Sequence, residues 1–178
     1  MIEKIKNYFL NKEIKNNTKR RNKSVCSLDS AKSIGIICQI SSEESYKEYY
    51  SIFSQLHTSS CSLWLIGYID DTLVPFYCLQ QLTADFFCRK NLNWYGKPNF
   101  IQLNDFLEKK FDILIDFTVN PLPPIQYCLQ LSQAKFIVGS SIYNKNIYDL
   151  FIDNSNVNSN NLELLKNIRL YTSKLSGK

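Results

Sequence analysis

Aspartates stand at the edges of the apolar runs in this chain. Asp70 and Asp71 follow SLWLIGYI, Asp112 and Asp116 lie in FDILIDF, and Asp149 and Asp153 frame DLFID. A carboxylate at the carboxyl end of a strand can hold ribose hydroxyls or serve as a general base. Spacing restricts the second role. Asp112 and Asp116 are four residues apart, so they share one face of a strand but stand about 13 Å from each other by strand rise. That separation excludes a close dyad, and Asp149 with Asp153 meets the same objection. Asp70 and Asp71 also read simply as an Asp-rich turn leading into TLVPF. His57, the single histidine, is the natural candidate for a general base, but it closes the helical run ending QLH, where it more simply complements a helix dipole.

Other chemistry is poorly supplied. GxGxxG, GxxxxGK[ST] and GxSxG are all missing, so no glycine-rich cradle for a pyrophosphate and no nucleophile elbow is expected. Ser41 and Ser42 can cap a helix or bind an anion at its N-terminus. Six cysteines form no CxxC pair, and a lone histidine completes no zinc pattern. They read as reduced, buried small hydrophobes. No catalytic residue, metal or cofactor is assigned.

The most unusual stretch is RKNLNWYGKP, residues 89–98. It is too irregular for a helix and too broken for a strand. Gly96 permits positive φ and Pro98 fixes the chain beyond it. Two readings stand. Trp94 and Tyr95 either pin a long loop to the body or form, with Arg89, Lys90 and Lys97, a platform for a base, sugar or phosphate. A ligand pocket on the second reading would draw on Asp70, Asp71, Arg89, Trp94, Tyr95, Lys97 and Asp116.

The elements that must position these residues alternate. Apolar runs at 32–40, 62–70, 85–88, 111–117, 134–139 and 147–153 read as strands, with 73–79 an irregular or edge segment because of its proline. Helical runs lie at 41–56, 100–110, 122–133 and 162–175, and NSNVNSNN is a polar loop. Strands alternating with helices predict an α/β fold, a single three-layer Rossmann-like or flavodoxin-like domain with a mostly parallel sheet. Its size of 178 residues fits one domain.

Charge is unevenly placed. Residues 1–24 hold eight Lys/Arg and two Glu, a net of +6, while the remainder has 13 basic and 14 acidic residues, a net of −1. The division expected is therefore a basic amphipathic helix and solvated linker over 1–24, with an α/β domain over 25–178. Ile2, Ile5, Phe9 and Ile14 recur at helical spacing, with Tyr8 and Leu10 alongside. Lys4, Lys6, Lys12, Lys15, Lys19, Arg20, Arg21 and Lys23 are the candidate contacts to an acidic surface, either anionic lipid or RNA phosphate. Equally, the apolar face can pack on the body. No 18-residue apolar run and no secretory signal is present. A cytoplasmic protein, peripheral to the inner membrane if the arm binds lipid, is expected.

The blocks AKSIGIIC, IGYIDD, DFFCRKNLNWYGKP, FDILIDF, LSQAKFIVG and YDLFID resemble an uncharacterised family of small cytoplasmic α/β proteins of Bacteroidota. That resemblance covers nearly the whole chain and implies a fold but no activity. FDILIDF…LPPIQYCLQLSQAKFIVG is also similar to the N-terminal half of heptosyltransferase-type glycosyltransferases. Those enzymes bind their nucleotide-sugar donor in a second domain that this chain is too short to contain, so the likeness implies a reduced half. Two functions follow as expectations: a non-enzymatic binding or adaptor protein, with a protein partner or an acidic surface, or an enzyme acting on a nucleotide or sugar.

Overall fold

The computed structural model describes residues 2–57, 60–78, 83–153 and 160–177. Helix α1 (Ile2–Asn17) leads through a linker to β1 (Ser33–Gln39) and α2 (Glu43–Leu56), then β2 (Ser62–Ile69) and β3 (Ala84–Cys88). After them come α3 (Leu103–Glu108), β4 (Ile113–Asp116), α4 (Pro123–Leu131), β5 (Ile137–Gly139), β6 (Leu150–Phe151) and α5 (Asn161–Leu175). The six strands form one sheet in the order β3-β2-β1-β4-β5-β6, and every pairing is parallel. This is the Rossmann order, so the flavodoxin-like alternative is set aside.

Period-two alternation sorts the core into two layers. On β1 and β4, Ile34, Ile36, Cys38, Ile113 and Ile115 face α2 and α5. Ile37 and Leu114 face the layer built from α1, α3 and α4. The direction of strand addition reverses between β1 and β4, which is why α2 falls on one face and α3 and α4 on the other. Pro123 and Pro124 open α4, where missing N–H groups leave nothing unpaired.

One reading from sequence is narrowed and two change. Residues 73–78 are turns and bends, the irregular alternative rather than an edge strand: the Cys78 amide donates back to the Pro75 carbonyl. Leu79 and residues 154–159 of the polar loop lie outside the described residues. The linker after α1 is not simply solvated. Arg21 is half-buried and grips Asp149 with two nitrogens, at 2.7 and 3.0 Å, while donating to the Ala134 carbonyl. Finally, α1 packs on α4 through Leu10 and Ile14, both buried. Of the stripe picked out by spacing, Ile14 turns to the body while Ile2, Ile5 and Phe9 stay exposed.

Candidate functional site

An open sheet of this order has its ligand crevice at the carboxyl ends of β1 and β4, where the direction reverses. Here that edge is occupied by the chain's own bonds. β1 leads to Ser42, which caps α2. The amides of Ser41 and Ser42 both donate to Ser45 Oγ at 3.0 Å, and the Ser45 amide donates to Ser42 Oγ at 3.2 Å. Three of the backbone donors that could cradle a phosphate are thus spent on a capping box.

β4 ends at Asp116, which is fully buried. Its Oδ1 accepts from the Thr118 amide at 2.8 Å and the Thr118 hydroxyl at 2.6 Å. Its Oδ2 accepts from Asn144 Nδ2 at 3.1 Å and from the Tyr148 hydroxyl. Gln126 of α4 donates in turn to Asn144 Oδ1 at 3.0 Å. Tyr148 reaches Asp116 by lying over Gly139, where a Cβ would come within 2.5 Å of the tyrosine ring. Burial pushes the Asp116 carboxyl above its usual range, and the four donors offset this only in part. This is an internal knot joining β4 to the segment before β6.

Asp70 and Arg89, at the ends of β2 and β3, make a separate and more open pair. Arg89 Nε lies 2.8 Å from Asp70 Oδ1, and the Tyr68 hydroxyl donates to the same oxygen at 3.0 Å. The guanidinium holds the Asp70 carboxyl below its ordinary range. Asp71 is turned inward on its own loop: its carbonyl accepts from the Arg89 amide and its carboxylate from Thr72. His57 is the C-cap of α2, with its ring against Phe53.

The 89–98 loop is held by asparagines. Asn91 Oδ1 accepts from the Cys88 amide, and Asn93 Oδ1 accepts from the amides of Tyr95 and Lys97. Gly96 turns the chain at φ 89°, and Leu92 bridges to Pro98. The purpose of this tight turn lies across the molecule. Phe9 of α1 sits edge-on to Trp94, with centroids 5.1 Å apart, and 6.2 Å from Tyr95. Lys97 pairs with Glu13 of the same helix. The loop therefore clasps α1, and three networks divide the residues grouped from sequence into one pocket: Asp116 in the knot, Asp70 with Arg89, and Trp94, Tyr95 and Lys97 on α1.

The clasp leaves a surface open. Ile2 (72% exposed), Ile5 (46%), Tyr8 (63%) and Phe9 (39%) continue onto Trp94 (58%). Among the described residues Lys4, Lys6, Lys12, Lys15 and Arg20 enter no ion pair. The other basic residues of the arm are spoken for: Lys19 meets Glu108, and Arg21 and Lys23 share Asp149. Sequence reasoning singled out the lysines and Trp94. It missed Asn144 and Tyr148 as partners of Asp116 and Glu13 as partner of Lys97, because no local pattern announces contacts made 28 to 84 positions away.

Among the described residues no helix is long and apolar enough to cross a membrane, and no three His, Cys, Asp or Glu side chains gather as metal ligands. The family described as "Family of unknown function (DUF6913)" matches residues 3–170. The chain belongs to that family, and the match includes all but the first residue of α1. No curated protein and no solved structure matches it significantly.

Proposed function

We propose that this member of a family of unknown function is a peripheral, non-enzymatic docking protein that lies on an anionic lipid surface through α1. The observation that carries the reading is the doubled apolar character of α1. Leu10 and Ile14 suffice to seat the helix on the body. Ile2, Ile5 and Phe9, at i, i+3 and i+7, form a second stripe that stays exposed and that Trp94 extends. A helix needs only one apolar stripe to pack. A second one, flanked by unpaired lysines, suits the boundary between headgroups and acyl chains. The aromatic rings suit the same depth.

Electrostatics favours an anionic surface. Each Lys or Arg near such a surface contributes about 1 kcal/mol, and the apolar side chains supply the second signal that stable attachment needs. The exposed isoleucines favour lipid over RNA, where phosphate contacts and stacking on rings dominate and an aliphatic side chain finds little to bury against. The α/β body, with its carboxyl edge closed by the Asp116 knot and the Ser42 cap, then serves as the carrier and partner-binding part.

Cosedimentation of the full-length protein with vesicles tests this. Vesicles rich in phosphatidylglycerol are expected to take the protein down, and pure phosphatidylcholine is not. Added salt should weaken the binding without abolishing it. Ile5→Glu should reduce it about tenfold or more, since burying an isoleucine contributes about 1.5–3 kcal/mol. Ile5 is exposed, so the fold should be unaffected. Binding to homopolymer RNA that salt abolishes and Ile5→Glu leaves intact, with no vesicle binding, would overturn the proposal.

A further inference from the structure

A cleft of about 930 Å³ opens where the linker after α1 crosses the amino ends of β5 and β6, on the opposite edge from the Asp116 knot. Lys19, Arg20, Arg21 and Lys23 line it together with Gln130 of α4 and Asn146. No carboxylate is among its lining residues. Its charge is not cancelled from behind. Four cations stand against two carboxylates, Glu108 and Asp149, which leaves a net of +2. Arg20 is exposed and carries no ion pair among the described residues.

The backbone that presents these groups is fixed at both ends. The Thr18 amide and hydroxyl both donate to the Ile14 carbonyl, at 2.8 and 2.7 Å. At the far end, Arg21 is bound twice to Asp149, and the Ser24 amide donates to the Lys135 carbonyl at 3.2 Å. Lys19 and Arg20 therefore project from a tethered segment rather than a free tail, and less ordering is needed when a ligand arrives.

We propose that this cleft binds a multiply charged phosphoryl group. A guanidinium matches phosphate oxygens with paired N–H donors, and an ammonium adds a point charge. The carboxamides of Gln130 and Asn146 add neutral donors to the lining. A singly charged anion gains little at so open a site in physiological salt, whereas a di- or trianion profits from the net +2. The group could belong to a lipid headgroup or to a free phosphorylated molecule. The site goes beyond the lipid-facing stripe of α1 and does not depend on it.

Isothermal titration of the full-length protein with inorganic tripolyphosphate, which contains no lipid, tests the cleft alone. One saturable site per chain is expected, weakened about tenfold by Arg20→Ala. Heat that is non-saturable, that sodium chloride of equal ionic strength reproduces, or that Arg20→Ala leaves unchanged overturns the proposal. Failure here with vesicle binding intact would sink the cleft and spare the α1 stripe. Vesicles of phosphatidic acid and of phosphatidylglycerol, matched in surface charge, separate the sources. An Arg20-dependent preference for phosphatidic acid identifies a headgroup; tripolyphosphate binding without that preference identifies a free phosphorylated ligand.

Discussion

Asp112 and Asp116 sit four residues apart, and their surroundings shift the two carboxyls in opposite directions. Burial raises both. At Asp112 the Lys135 ammonium and the amides of Lys32 and Ser33 outweigh it, and the carboxyl stays below its usual range. Asp116 has four donors but no cation, and its burial is complete, so its carboxyl is held above that range. The arrangement predicts that Asp116→Asn is a stability mutation. Both carboxylate oxygens accept two donors each, so an amide must point its NH₂ at donors on one side. A loss of about 1–3 kcal/mol is expected in urea unfolding, the usual cost of an unsatisfied buried group. An unchanged midpoint would show that the knot does not hold β4 to the segment before β6. The sequence placed Asp116 at a strand's carboxyl end, which is correct. That it would be sealed from solvent was not legible, because Asn144 and Tyr148 meet it only through folding.

At the scale of elements, α1 and the 89–98 loop must be considered together. The loop's composition announced a turn, and Gly96 at positive φ bears that out. Its rings do meet another element, but that element is α1, which the sequence set apart as an arm. Phe9 and Trp94 should therefore be coupled. A double-mutant cycle of Phe9→Ala and Trp94→Ala should give an interaction of about 0.5–1.5 kcal/mol, the range for aromatic pairs. A coupling indistinguishable from zero would mean that the clasp is incidental and that α1 is held by Leu10 and Ile14 alone.

Across the whole molecule, Asp149 ties the arm to the sheet, accepting from Arg21, Lys23 and the Ile137 amide. Burial raises its carboxyl, but these donors prevail and hold it below the usual range. A depressed acid contributes stability that is complete above its unfolded value, about 3.9, and is lost as pH falls through the folded value. Asp112 adds in the same direction. Asp116, raised, contributes with the opposite sign: its share is present below about pH 3.9 and lost as pH rises through its folded value. Urea unfolding across a pH series should thus show stability falling in the acid range, and Asp149→Ala should flatten that limb. An acid limb identical in the variant would remove Asp149 as its source.

Alternation of apolar strands with amphipathic helices determined the α/β class, the parallel sheet and nearly all its elements, because each depends on side-chain periodicity within a few residues. The charge of the arm and the turn at Gly96 were equally local. Strand order was not, and only the tertiary structure distinguished the Rossmann order from its relatives. It also decided how the apolar residues of α1 divide, Leu10 and Ile14 facing the body and Ile2, Ile5 and Phe9 left exposed, since spacing shows that a helix has a stripe but not which part of it meets a neighbour. Which lysines are paired depended on Glu108 and Asp149 reaching the arm and on Glu13 of the arm reaching Lys97. Periodicity is written along the chain; partnership arises only when distant segments share a surface.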